Sequence, residues 1–110
     1  MITRYALFEG TVKAGQTAEF RQAVLDIILP KWKQFPGATD VRVSFAEARD
    51  DGAPEFPMIL AVNYPDLAAV DAALASPVRS EARAATESVL SRFFEGRIHH
   101  HVTLANEFVL

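Results

Sequence analysis

Hydrophobic residues recur along this chain with two different periods, and the order of those periods predicts its secondary structure. From Ile2 to Val12 the pattern alternates. Ile2, Ala6, Phe8 and Val12 take one side, with Arg4 and Gly10 between them, while Thr3, Tyr5, Leu7, Glu9 and Thr11 take the other. Side chains point alternately to the two sides of a strand, so this segment reads as a strand. Gly15 breaks it. From Gln16 or Thr17 the period lengthens to that of a helix, with Phe20, Val24, Ile27 and Ile28 on one side. Pro30 has no N–H to give such a helix, which predicts a kink or an end near Leu29. Lys31 and Lys33 suit the negative end of a helix dipole, and Pro36–Gly37 is a stop signal.

Period two then returns twice. Thr39 to Glu47 alternates, with Val41, Val43 and Phe45 facing one way and Asp40, Arg42 and Ser44 the other. Phe56 to Tyr64 follows, with Phe56, Met58, Leu60 and Val62 on one side and Pro57 near its start, where a strand tolerates proline. Asp50-Asp51-Gly52 supplies the turn between them, predicting an antiparallel hairpin. Pro65 to Ala75 reads as a short helix striped by Leu67, Val70 and Leu74. Ser76-Pro77 reads as a restart, serine accepting from the orphan amides and proline fitting the first turn. Val78, Ala82, Ala85, Val89 and Phe93 continue an inward face to a Gly96 C-cap. A last strand runs from Arg97 towards Val109. The order strand–helix–strand–strand–helix–strand is a split βαβ pattern, predicting one ferredoxin-like α+β domain over residues 1–110 with an antiparallel sheet.

The two sheet faces differ. Val41, Val43, Phe45, Met58, Leu60 and Val62 belong to the side that helices must cover, and Ile98, Val102, Leu104 and Phe108 extend it on the last strand, with His100 among them. The opposite side carries Arg42, Ser44, Asn63, Arg97, His99, His101, Thr103 and Glu107, mixed with Tyr5, Leu7 and Ile59. An antiparallel sheet can leave such a face wet, or meet its own copy across a two-fold axis. The sequence ends Phe108-Val109-Leu110. Burying each such side chain is worth about 1.5–3 kcal/mol. Together these features predict a homodimer.

Composition narrows the function classes. At 110 residues, half of them hydrophobic, the chain can bury a thin core. A net charge of −3 leaves no basic stripe for nucleic acid. There is no cysteine, hence no disulfide framework or thiol chemistry. No apolar run approaches the roughly 18 residues of a membrane span, and the first residues lack the apolar core of a signal peptide. The expectation is a soluble cytoplasmic protein with neither nucleic acid nor membrane as partner.

The candidate chemistry centres on three consecutive histidines inside the last strand. His99 and His101 share a face, and His100 points the other way. His99 and His101 stand close enough to meet one metal ion, which would need a further protein ligand such as Glu9. The plainer reading makes them polar filling on the outer face, and no metal is predicted. His100, expected beneath the helices among apolar neighbours, is the candidate catalytic residue. A desolvated imidazole loses its proton readily and suits a general base near neutral pH. A satisfied core histidine is the competing reading, and no serine, cysteine or carboxylate is spaced to complete a triad. Trp32 and Phe35 could roof an apolar pocket or simply belong to the core. Tyr64 could point its hydroxyl into the same space or only guide the chain into the next helix. Arg42 could bind a ligand carboxylate or pair with Asp40 or Glu47.

Three stretches carry a family likeness. They are Leu29-Pro30-Lys31-Trp32-Lys33-Gln34-Phe35-Pro36-Gly37 leading into a strand, Ala73-Leu74-Ala75-Ser76-Pro77-Val78, and Phe93 to Val102 with its histidines. With the element order, they make the chain resemble the dimeric α+β barrel superfamily, closest to EthD-like proteins, named for ethyl tert-butyl ether degradation. The resemblance implies two sheets facing each other in a homodimer, and a ligand held between each sheet and its own helices, near His100, Trp32 and Tyr64. Relatives include cofactor-free monooxygenases of antibiotic biosynthesis and haem-degrading enzymes. The latter use a histidine on the second helix region, and residues 65–95 contain none. No cofactor is therefore predicted. The expectation is a small-molecule-binding protein acting in oxidation or catabolism of an apolar organic compound. The alternatives are a non-enzymatic ligand-binding or accessory protein, or a dimer-building module whose interior is fully packed. Cavity volume separates the last from the others.

Overall fold

The four alternating segments form one antiparallel sheet in the spatial order β2-β3-β1-β4. The computed structural model describes Met1–Leu110. Its elements are β1 (Ile2–Val12), α1 (Thr17–Ala23), a π-helical turn (Val24–Ile28), α2 (Leu29–Trp32), β2 (Asp40–Phe45), β3 (Met58–Tyr64), α3 (Leu67–Leu74), α4 (Val78–Phe93) and β4 (Phe94–Leu104). This is the ferredoxin-like α+β arrangement that the order of periods predicts. No helix is long and apolar enough to cross a membrane.

Strand parity holds across the sheet. Met58–Phe8–Ile98, Leu60–Ala6–His100 and Val62–Arg4–Val102 are cross-strand rows, and the helices pack on their side. Phe20, Val24, Ile28, Val70, Ala82, Val89 and Phe93 come from the helices to meet Phe8, Met58, Leu60 and Val62 in one core. Ile27 and Leu67, predicted to point inward, are 44% and 58% exposed. The π-helical turn shifts Ile27 off the buried stripe, and Leu67 sits in the first turn of α3, ahead of its packed part.

The first helical stretch does not end at Pro30 but passes through it. The N–H of Leu29 bonds back to the carbonyl of Val24, five residues earlier, so the chain is wound one residue wider just before the proline. A regular α-helix would press the proline ring against the carbonyl four residues back. The helix closes where expected. Gly37, at φ +77°, supplies the left-handed backbone of a turn in which the N–H of Ala38 reaches the carbonyl of Phe35.

Several helix-end expectations are corrected. Ser76 does not cap α4. Its hydroxyl donates to the carbonyl of Ala73 at 2.7 Å and so closes the end of α3, while α4 begins with no side-chain cap. The cap in this region belongs to Asp66, whose Oδ1 accepts from the N–H of Ala69 at 2.8 Å. Gly96 is not a C-cap either, because α4 turns directly into β4 at Phe94 and Gly96 lies within the strand opposite Gly10. A Cβ on either glycine would stand 2.1 Å from a carbonyl oxygen of the facing strand and 2.8 Å from the Phe94 ring. The two backbones cross there with no room for side chains. β4 ends at Leu104, so Phe108 and Glu107 lie beyond the sheet rather than on its faces.

Candidate functional site

The helices leave part of the sheet's inner face uncovered, and a cleft of about 540 Å³ opens there. β1 contributes Arg4 and Phe8, β4 contributes Ile98 and His100, and Trp32 and Phe35 enter from the end of α2 and the loop after it. α4 forms the opposite wall with Arg79, Ala82, Thr86 and Leu90, positions three or four apart that share one helix side. Small side chains border it: Ala6 lies directly beside His100 in the sheet, and Ala82 lines the cleft from α4.

Trp32, Phe35 and His100, predicted as ligand-contacting residues, are thus brought together from distant parts of the chain. Trp32 and Phe35 are 5% and 7% exposed and meet edge to face, ring centres 5.6 Å apart. The Trp32 indole N–H points at the Thr86 hydroxyl at a long 3.4 Å, and that hydroxyl donates to the Ala82 carbonyl at 2.7 Å. The indole is therefore held by α4 as well as by its own helix. Tyr64 is 1% exposed, lies under the sheet's inner face, and is not one of the cleft-lining residues. Burial raises its phenol pKa, opposed by the nearby positive charge of Arg4.

His100 is on the helix-facing side, as parity requires, but its surroundings are not the apolar core expected. It is open to the cleft and faces two guanidinium groups. Desolvation lowers its pKa, Arg4 and then Arg79 disfavour a further positive charge, and only the Tyr5 backbone pulls the other way. On balance these effects favour the neutral imidazole, the form that accepts a proton.

Arg4 was not legible as a site residue. It is 9% exposed, and burial followed by the charge of Arg79 lowers its pKa. No carboxylate pairs with Arg4 or Arg79. No hydrogen bond within the protein uses the Arg4 side chain, yet none of its nitrogens is sealed from solvent. Its guanidinium therefore opens onto the cleft. The signal was present, a cation interrupting the apolar row Ile2, Ala6, Phe8. Arg79 and Thr86 gave no such signal, since both look like ordinary solvated helix positions until the orientation of α4 is known.

The other histidines lie on the outer face. His99 Nε2 is 2.8 Å from Glu9 Oε1, which also accepts from Arg97 Nε at 3.3 Å. The His99 hydrogen bond, then that of Arg97, holds the Glu9 carboxyl below its usual range. His101 stands opposite Tyr5 and is exposed. No three histidine, aspartate or glutamate side chains gather so as to hold a metal ion. Arg42 is also outside and pairs with neither suggested partner. Glu47 pairs with Arg21 at 3.8 Å, and Asp40 accepts from Thr39 and Asn63.

No protein-family model matches the chain, and no curated protein matches it in sequence. Solved structures share its fold. An ethyl tert-butyl ether degradation (EthD) family protein from Bacillus halodurans superposes with a TM-score of 0.70 at 14% identity, covering 96% of this chain and 100% of that one. SnoaB, a cofactor-independent oxygenase from Streptomyces nogalater, gives 0.63 at 17% identity over 98% and 95% of the two chains. A dimeric ferredoxin-like protein of unknown function from Bacteroides fragilis gives 0.63 at 14% identity over 93% of each. The chain therefore shares the ferredoxin-like fold of these proteins.

Proposed function

We propose that this protein binds an apolar, ring-bearing small molecule in the cleft between its sheet and α4 and acts in that molecule's oxidation or catabolism, with His100 as proton acceptor. The observation that carries the reading is the convergence of Trp32, Phe35 and His100 on one cavity of about 540 Å³, a size ordinary for small-molecule sites. Aromatic walls favour a planar apolar body. A neutral imidazole beside two arginines can take a proton from an acidic phenol or quinol, and the guanidinium groups favour the anion left behind. Such an anion can pass electrons to oxygen by its own chemistry, so the chain need supply only binding and deprotonation. That SnoaB, of the same fold, is described as a cofactor-independent oxygenase supports this direction.

A non-enzymatic carrier is the second reading. It is favoured by the absence of a free acid beside His100, since Glu87, the carboxylate of the cleft, pairs with Arg83 at 3.2 Å. Oxygen uptake with a panel of phenols and quinols separates the two. Turnover that His100→Ala abolishes supports the enzyme, and saturable binding without oxygen uptake supports the carrier.

The reading takes the working unit to be a cytoplasmic homodimer with two sheets face to face. Support comes from the half-buried Tyr5, Leu7 and Ile59 on the outer face and from the exposed Phe108, Val109 and Leu110. The Bacteroides fragilis neighbour is described as dimeric. A monomeric mass by light scattering at micromolar concentration would remove this part of the proposal.

A further inference from the structure

The charges of the cleft narrow the class of ligand. Four arginines, Arg4, Arg79, Arg83 and Arg97, line it against one carboxylate, Glu87, in a protein whose net charge is −3. Arg83 is matched by Glu87 and Arg97 by Glu9. No carboxylate matches Arg4 or Arg79, and the one bond either side chain makes within the protein is a long 3.5 Å contact from Arg79 Nη1 to the Leu74 carbonyl. Arg4 is nine-tenths buried as a residue while its unpaired nitrogens reach only the cleft, so the cleft is where an anion could meet its charge. The molecule's other large cleft makes the contrast. It holds about 640 Å³ beneath the β2–β3 connection, and its arginines are all used. Arg21 donates to the Ala46 carbonyl and pairs with Glu47, and Arg49 pairs with Glu55 at 3.5 Å.

We infer that the cleft takes a ring-bearing organic acid, its carboxylate seated between Arg4 and Arg79 and its apolar body against Trp32, Phe35 and Phe8. This rests on the small-molecule reading of the same cleft and goes further by fixing the ligand's charge. Guanidinium is the side chain best shaped for a planar carboxylate, offering parallel N–H donors in a rigid fork. Arg4 is fixed by the sheet and Arg79 by α4, so the bound anion would tie the sheet to the helix layer. Phe8, 0% exposed as a residue, lies four residues along the same face of β1 from Arg4, so it gives the floor an apolar stretch at a distance from the cationic end. The ordering of roles follows. Arg4 and Arg79 hold the carboxylate, the aromatics hold the ring, and His100 is left free for a proton elsewhere on the same molecule.

The test is calorimetric titration of the whole chain at pH 7.5 with 1-naphthoate and with 1-naphthamide, which share a shape but differ in charge. A charge-assisted arginine contact predicts that naphthoate binds at least about tenfold tighter. That ratio should collapse towards one in Arg79→Met, an exposed position whose substitution leaves folding intact, and in Arg4→Met. Naphthamide binding as tightly as naphthoate would overturn the acid inference and leave the apolar cleft standing. Naphthoate preference surviving in both arginine variants would overturn the assignment to Arg4 and Arg79. Failure of both probes to bind would overturn the inference together with the cleft reading on which it rests.

Discussion

Arg4→Met is expected to make the ligand-free protein more stable. Wild-type Arg4 is 9% exposed as a residue, has no carboxylate partner, and shares the cleft with the like charge of Arg79. Methionine keeps a flexible stem of similar reach against Val62 and Val102 and removes the charge. A fully buried ion without a partner suffers several kcal/mol of desolvation, but these nitrogens reach cleft water, so the expected gain is only about 1–2 kcal/mol. For a domain near this length each kcal/mol moves Tm by roughly 4–8 °C, which puts the rise at about 5–15 °C. Urea melts and calorimetry read it, with an unchanged m-value showing that the compactness of neither state has altered. Arg79→Met should shift stability in the same direction by less, and the double variant should gain less than the sum, because the mutual repulsion is removed only once. A loss of 1 kcal/mol or more in Arg4→Met would show that the guanidinium is a structural strut, and the reasoning that leads from an unmatched cation to an absent anion would fail.

Three further outcomes follow from the same geometry. The His100 imidazole should titrate by NMR below its ordinary 6.5 and move up in Arg4→Met. Because its folded pKa is the lower one, its contribution to stability is present above about pH 6.5 and is lost as pH falls from there through the folded value. Thr86→Val removes the acceptor of the Trp32 N–H, which should cost about 1 kcal/mol in a chemical melt and change the emission of the protein's single tryptophan. Unchanged emission would mean that the 3.4 Å contact does not hold the indole. Gly96→Ala forces a methyl to within 2.1 Å of the Glu9 carbonyl, and at least about 3 kcal/mol of stability should be lost. A near-neutral result would mean that β1 and β4 separate easily at that crossing.

Parity was the legible part of this chain. Because strand side chains alternate, His100 could be assigned to the helix side and His99 and His101 to the outer side before any partner strand was known, and the register of β4 on β1 bears this out. The Trp32–Phe35 stretch could be placed against the sheet because Pro36–Gly37 ends the helix just beyond it. What stayed hidden depended on neighbours remote in sequence. Ser76 is the local exception: its hydroxyl donates to the carbonyl of Ala73 three residues back and closes α3, where it could equally have accepted from the amides ahead. Gly96 looked like a helix terminator because nothing local announces that Gly10 lies against it. The surroundings of His100 were only partly legible for the same reason. Its own strand is apolar on that side, and the two cations that add to desolvation in lowering its pKa come from residues 96 and 21 positions away.

The wide turn at Val24–Ile28 and the proline behind it depend on each other. Each residue of a regular helix advances the azimuth by about 100°. Deleting one residue from this turn would thus swing the indole of Trp32 off the cleft and bring a neighbouring, water-facing side chain to its place. With Pro30 still present the tightened turn could not settle, since the ring would collide with the carbonyl one turn back. The extra residue of the turn thus sets which side chain roofs the cavity, and the proline behind it opposes its loss.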